Sequence, residues 1–380
     1  MSRIGVDARF INDRYHGIGR YTFNLLEALT RLDKENVYFL LYDPASPNSR
    51  FDMGLLRRRP NVHLVEARLP LYLPQEQLAL PLLMRRLDLG LWHTPYLAVP
   101  LLAPCPLLCT VHDLIFHRHP EFMSRRRFLW YYRLAARLSV QRARSVIAVS
   151  RATADELRQL YPTASRKVYA VPEGVEPRFR PVADRRKRGE VRRRYRLPPR
   201  FILSVGARRP SKNLARLVRA FGRLCNQVEY ALVLAGPPDP CFPDEALMIA
   251  RELGLEGRVV FPGFVAEEDL PTLYSLADLF VFPSLAEGFG LPPLEAMACG
   301  TPVVVSNIPP LVEVVGRAGL TVDPYSVEQL AAAMLRVLTD PALREELRNR
   351  GLRRAAQFTW ETAARKTLAV YNDYTLGVST

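Results

Sequence analysis

Apolar positions along the chain follow two alternating periods. Short runs of aliphatic and β-branched residues recur at 4–6, 37–42, 62–65, 89–92, 107–111 and 146–149, and stretches with helical spacing, such as 21–32 and 128–142, lie between several of them. Strands that are apolar throughout and separated by helices predict a mostly parallel sheet covered on both faces. Residues 176–200 interrupt the pattern. They are rich in Arg and Pro with little apolar periodicity, which predicts a linker carrying a short exposed helix. A second alternating series follows at 201–206, 231–236, 259–261, 279–282 and 303–305, and amphipathic stretches at 327–338, 342–357 and 360–374 close the chain. The expected fold is α/β, with two Rossmann-like parallel-sheet domains facing across a cleft: 1–180, a linker at 181–199, and 200–359, with a terminal helix at about 360–376 returning to the first domain. Open parallel sheets bind ligands beyond the carboxyl ends of their strands, so two such halves predict a ligand between them.

Composition narrows the class. At 380 residues the chain exceeds one ordinary core, and 48% hydrophobic with 24% charged residues describes a globular protein. Met1 leads straight into strand-like Ile4-Gly5-Val6-Asp7 without the apolar core of a secretory signal. Residues 99–111 are too short to span a bilayer and are broken by Pro100, Pro104 and Pro106. Five cysteines, without metal-ligand spacing, fit reduced buried thiols and hence a cytoplasmic location. A net charge of +15 points to something anionic: a nucleic acid, a phospholipid surface or a phosphorylated small molecule. Ordinary solvated surface accounts equally well for each cluster of arginines.

Residues 283–302 hold the candidate chemistry. A strand runs into Glu287-Gly288-Phe289-Gly290-Leu291 and then a helix with Pro292 and Pro293 in its first turn, where a missing amide hydrogen costs nothing. Backbone amides at such a helix start, approached closely past Gly288 and Gly290, suit a diphosphate, and Glu287 and Glu295 can accept hydrogen bonds from sugar hydroxyls. A plain Gly-rich turn with an acid favoured by the helix dipole would also fit these residues.

Glu287 and Glu295, with the seven residues G-F-G-L-P-P-L between them and continued by Ala296-Met297-Ala298-Cys299-Gly300-Thr301-Pro302, resemble the E-x7-E signature of retaining glycosyltransferases of family 4, which have the two-Rossmann-domain GT-B fold. The resemblance extends over nearly the whole chain. Ile4-Gly5-Val6-Asp7 with Gly17-Ile18-Gly19-Arg20 is similar to the first strand and glycine loop of mannosyltransferase-like members; Thr110-Val111-His112-Asp113, Val171-Pro172-Glu173-Gly174 and Pro210-Ser211-Lys212-Asn213 fall in the family's order. It implies that the N-terminal domain faces the acceptor and the C-terminal domain holds the nucleotide sugar. It also implies that Glu295 binds the ribose hydroxyls, Glu287 the donor sugar, amides of 289–291 the distal phosphate, and Lys212 with Arg208 or Arg209, Arg208 preferred, the diphosphate. Gly17 and Gly19 would let an N-terminal loop approach the phosphates, Phe264 and Val265 would lie at the base, and His112 would hydrogen-bond near the reacting carbon. The chain departs from the subgroup at Ser211, where Arg is common, at Arg209, where an acid is common, and at Glu173, where Asn is common. Asp7 and Asp113 read as structural.

The sequence contains no D-x-D pair, so a divalent cation bridging the phosphates is not expected, and cationic side chains with helix amides would replace it. The expected reaction is retaining transfer of a hexose, mannose from GDP-mannose before UDP-glucose or UDP-N-acetylglucosamine, to a glycan or lipid-linked hydroxyl, without metal or other cofactor. An epimerase of similar fold, a nucleotide-sugar sensor and a basic nucleic-acid-binding protein are the rivals; the last lacks any helix-turn-helix, zinc or RNA-recognition signature. Residues 122–133 mix arginines with Phe, Trp and Tyr, which suits peripheral contact with the inner face of a membrane or a lipid-diphosphate acceptor. A helix buried on its apolar side, with arginines on the other, fits the same residues.

Overall fold

A computed structural model describes residues 1–124 and 126–375. The chain divides into two compact units, residues 1–174 with 359–380, and residues 175–358. Residues 181–199 therefore lie inside the second unit, where the exposed helix Arg185–Arg194 is anchored by buried Val191 and by an ion pair between Arg194 and Asp269.

The first unit contains a seven-stranded sheet: β1 (Arg3–Asp7), β2 (Val37–Tyr42), β3 (Val62–Glu66), β4 (Leu91–Thr94), β5 (Leu107–Val111), β6 (Ser145–Ala148) and β7 (Val168–Ala170). Every pairing is parallel, in the order β3-β2-β1-β4-β5-β6-β7. The second holds six: β8 (Phe201–Val205), β9 (Ala231–Ala235), β10 (Val259–Gly263), β11 (Leu279–Phe282), β12 (Val303–Ser306) and β13 (Leu320–Val322), ordered β10-β9-β8-β11-β12-β13 and again all parallel. The central strands β4, β5, β6, β9, β11 and β12 are buried along their whole length, as parallel strands covered on both faces must be. In each sheet the order reverses between two adjacent strands, β1 and β4 in one and β8 and β11 in the other. Such a reversal leaves a crevice at the carboxyl edge.

Three local features differ from the sequence reading. The strand expected at 89–92 is Leu91–Thr94, and the short edge strands β7 and β13 carry too few residues to announce themselves. Gly17 and Gly19 belong to the first turn of the helix His16–Leu32 rather than to a loop. Gly19 is there for packing: a Cβ would stand 2.7 Å from the Phe10 carbonyl oxygen, whereas one on Gly17 would meet nothing within 4 Å. The last helix, Trp360–Thr375, packs in the first unit, with Trp360 5.9 Å from the Tyr21 ring and Tyr371 bonded to His93. Residue 376, the end of the helix expected there, lies outside the described residues, as does Arg125 of the basic aromatic segment.

Candidate functional site

In the second unit the site is built by the loops leaving β8 and β11, the strands that flank the reversal and pair with each other at Ile202 and Leu203. Two hydrogen bonds hold these loops together. The Leu285 amide donates to the Ser211 carbonyl at 2.8 Å, and Asn213, in a left-handed conformation with φ 57°, donates its side-chain amide to the Pro283 carbonyl at 2.9 Å. This scaffold brings Lys212 Nζ to 2.6 Å from Glu287 Oε1 and places the ammonium 5.1 Å from the centre of the Phe282 ring. Both side chains are largely buried, so a cation and a carboxylate stand side by side at the crevice. The ammonium can contact an anion while the carboxylate accepts from a hydroxyl.

The two arginines before Lys212 differ. Arg208 is pinned by Asp244 at 2.9 Å and the Gly236 carbonyl at 2.8 Å, with 10% of its side chain exposed. Arg209 pairs with Asp239 but is 57% exposed. Of the two, Arg209 is the one whose guanidinium reaches solvent.

Beyond Glu287 the chain turns at Gly290, whose φ of 125° suits glycine alone, into the helix Leu291–Ala298. Glu295 is only 3% exposed and accepts a hydrogen bond from Tyr274 Oη at 2.8 Å. Burial, with Glu295 close by, raises the Cys299 thiol well above its usual range and keeps it protonated. Gly288 precedes Phe289, which is buried edge-on against Phe358 with ring centres 5.9 Å apart, and Leu291 is half-buried at the helix start. Phe264 and Val265 follow β10 at the sheet edge, separated from β8 by β9; Phe264 is 58% exposed and Val265 is buried.

In the first unit, β5 delivers His112 to the carboxyl edge of its sheet. Its Nε2 lies 3.0 Å from the Pro95 carbonyl oxygen, to which it can donate. Its Nδ1 lies 3.3 Å from Glu173 Oε1, and the Tyr21 ring packs edge-on at 4.7 Å. Glu173, 5% exposed, is the residue that sequence reasoning did not interpret; its signal was the Pro172-Glu173-Gly174 corner, but the partner lies 61 positions away. Behind His112 runs a buried chain of bonds: Tyr371 Oη to His93 Nδ1 at 2.7 Å, His93 Nε2 to Thr110 Oγ1 at 2.8 Å, and Thr110 Oγ1 to Tyr21 Oη at 3.1 Å. Full burial drives His93 down to about 3, so the ring is neutral. Asp113 accepts from the Ile115 amide at 3.1 Å. Asp7 caps the turn that follows β1 and binds the buried Arg9 guanidinium at 2.7 Å, which in turn holds Glu76 at 2.6 Å.

Comparison with known proteins fits this geometry. Residues 15–179 match Glycosyltransferase Family 4, and residues 188–354 match Glycosyl transferases group 1. The serotype-specific mannosyltransferase WbdA of Escherichia coli is 35% identical over 69% of this chain, which corresponds to 32% of that protein, so the match spans about a third of its length. O-antigen chain mannosyltransferase B of Escherichia coli is 35% identical over 69% of this chain and 69% of that protein. Among solved structures, sucrose-phosphate synthase from Thermosynechococcus elongatus superposes with a TM-score of 0.77 at 24% identity, covering 99% of this chain and 100% of the other. Matched in both halves, and along two thirds of a relative at this identity, the chain belongs to glycosyltransferase family 4 and has its GT-B fold of two Rossmann-like domains.

Proposed function

We propose that this protein is a mannosyltransferase that moves mannose from GDP-mannose to a hydroxyl of a growing glycan or lipid-linked acceptor, with retention at the anomeric carbon and without a metal. The observation that supports the reading is the Lys212–Glu287 pair at the β8/β11 crevice, an ammonium suited to a phosphate beside a carboxylate suited to a sugar hydroxyl. The names of the two mannosyltransferase relatives support mannose as the sugar.

In this reading Lys212, Arg209 and the amides of 289–291 take the diphosphate, and their positive charge grows in value as the leaving group gains negative charge. Glu295, oriented by Tyr274, holds the ribose; Glu287 holds the sugar. His112, held by Pro95 and Glu173, bonds near the reacting carbon. The bond from the anomeric carbon to the diphosphate oxygen breaks, the acceptor oxygen bonds to that carbon on the same face, and its proton passes to the departing phosphate oxygen. Incubation with GDP-mannose and an acceptor, followed by NMR of the product's anomeric proton, tests the proposal. An α-mannoside is expected. An inverted linkage, transfer only from a UDP-sugar, or a trapped mannosyl–enzyme ester would overturn the corresponding part.

A further inference from the structure

The helix Arg126–Arg142 buries one side and turns its arginines outward, but it leaves several of its large apolar groups exposed as well. Its buried side consists of Ala136, Ser139 and Val140, with the half-buried Tyr132 packed against the same core. The large apolar groups Phe128, Trp130, Tyr131 and Leu134 are on the exposed side together with Arg127, Arg133 and Arg137, and Trp130 is 71% exposed. This helix contains no Asp or Glu.

A second helix, Glu76–Arg86, continues the same surface. The segment between them is tied to both: the Leu101 amide donates to Gln77 Oε1 at 2.7 Å, and the Val99 amide to Ser139 Oγ at 3.2 Å. Leu78, Leu82 and Leu102 are exposed on these elements, each above 60%, and Arg85 and Arg86 are exposed at the helix end. Its single acid, Glu76, is buried and occupied by Arg9. Between the two helices lies an apolar pocket of about 280 Å³, lined by Leu80, Val99, Leu101, Leu134 and Leu138. None of the described helices is long and apolar enough to cross a membrane.

Apolar side chains this exposed, set among arginines on a helix that carries no acid, are complementary to one kind of surface: negative headgroups above hydrocarbon. We propose that this face of the first unit docks on an anionic phospholipid bilayer, with Trp130, Leu78 and Leu82 entering the interface, the arginines meeting headgroup phosphates, and one lipid chain seated in the pocket. The inference rests on this surface alone and stands whatever nucleotide sugar the second unit binds.

Trp130 makes it directly testable, because Trp92 and Trp360 are buried. The full chain is mixed with vesicles of phosphatidylcholine, alone or with an equal share of phosphatidylglycerol, and Trp fluorescence is followed with lipids brominated along their chains. The expected result is cosedimentation with the anionic vesicles only, a blue shift, and quenching by the brominated chains that Trp130→Ala removes. Replacing Arg127, Arg133 and Arg137 by Gln should weaken binding about a hundredfold, one juxtamembrane cation's contribution from each, and Leu134→Asp at the pocket mouth should weaken it at least about tenfold. Equal binding to neutral vesicles, absence of quenching in the unaltered protein, or a response of Trp130 to single-stranded RNA but not to vesicles would overturn the proposal.

Discussion

Lys212 Nζ and Glu287 Oε1 stand 2.6 Å apart although 75 positions separate them, because the loops that carry them leave adjacent strands and are tied by the Leu285–Ser211 backbone bond. A diphosphate entering this crevice must share the ammonium with the carboxylate. Glu287→Gln removes a negative charge from beside that diphosphate, so GDP affinity should hold or rise by up to about 1 kcal/mol while transfer falls by orders of magnitude. Calorimetric titration with GDP beside a transfer assay separates the two effects; parallel loss of both would remove Glu287 from the sugar.

Lys212→Ala should weaken GDP binding by about 1.5–3 kcal/mol, the range for a charge-assisted contact. Arg209→Gln should show a smaller loss, and Arg208→Gln should act through fold stability, since Arg208 is already held by Asp244 and Gly236. An unchanged affinity in Lys212→Ala would move the diphosphate role to the arginines.

Glu173 is 3.3 Å from His112 Nδ1 and fixes that ring together with Pro95. Glu173→Ala should lower kcat about tenfold or more with little change in donor KM, because the ring loses its orientation rather than the donor a contact. A wild-type kcat and pH profile in this variant would make Glu173 merely structural.

These pairings mark the limit of what the chain reveals by itself. Strand runs and the Glu287–Glu295 spacing are local, and so all strands but the short edge strands β7 and β13, and the helix that follows β11, were legible from one stretch at a time. The Glu173–His112 and Lys212–Glu287 contacts depend on which strands become neighbours, and no local pattern reports that. The choice between Arg208 and Arg209 depends on Asp244 and Asp239, distant acids that capture one guanidinium inside and leave the other outside. Gly17 and Gly19 read as a loop through their likeness to the family's glycine loop, whereas Gly19 is used for close packing on Phe10. The aromatics near Trp130 left two readings open, because amphipathic spacing does not say which face meets the core.

His93 makes stability depend on pH. Its folded value of about 3 lies below the ordinary 6.5, so the unfolded chain binds the extra proton as the pH falls. The stability it confers is complete above pH 6.5 and is lost at about 1.4 kcal/mol per pH unit as the pH drops toward 3. Urea midpoints between pH 7.5 and 5 should fall, and a His93→Gln variant should show a slope smaller by one proton. Identical slopes would contradict the burial of a neutral ring.

Gly290→Ala should destabilise the second unit by about 1–3 kcal/mol, since φ is 125° and the added Cβ would lie 2.7 Å from Leu311 Cδ2. Thermal denaturation checks this, and an unchanged midpoint would show that the turn before the helix relaxes freely.

The most direct test of the central claim is thermal stability in EDTA with GDP, GDP-mannose, UDP or UDP-glucose, because a ligand at a hundred times its dissociation constant adds about 2.7 kcal/mol. A higher melting temperature is expected with GDP and GDP-mannose, with a much smaller rise in Lys212→Ala. A rise with uridine nucleotides alone, or only when a divalent cation is restored, would contradict the guanosine or metal-free part of that claim, and no rise with any nucleotide would contradict the donor site itself.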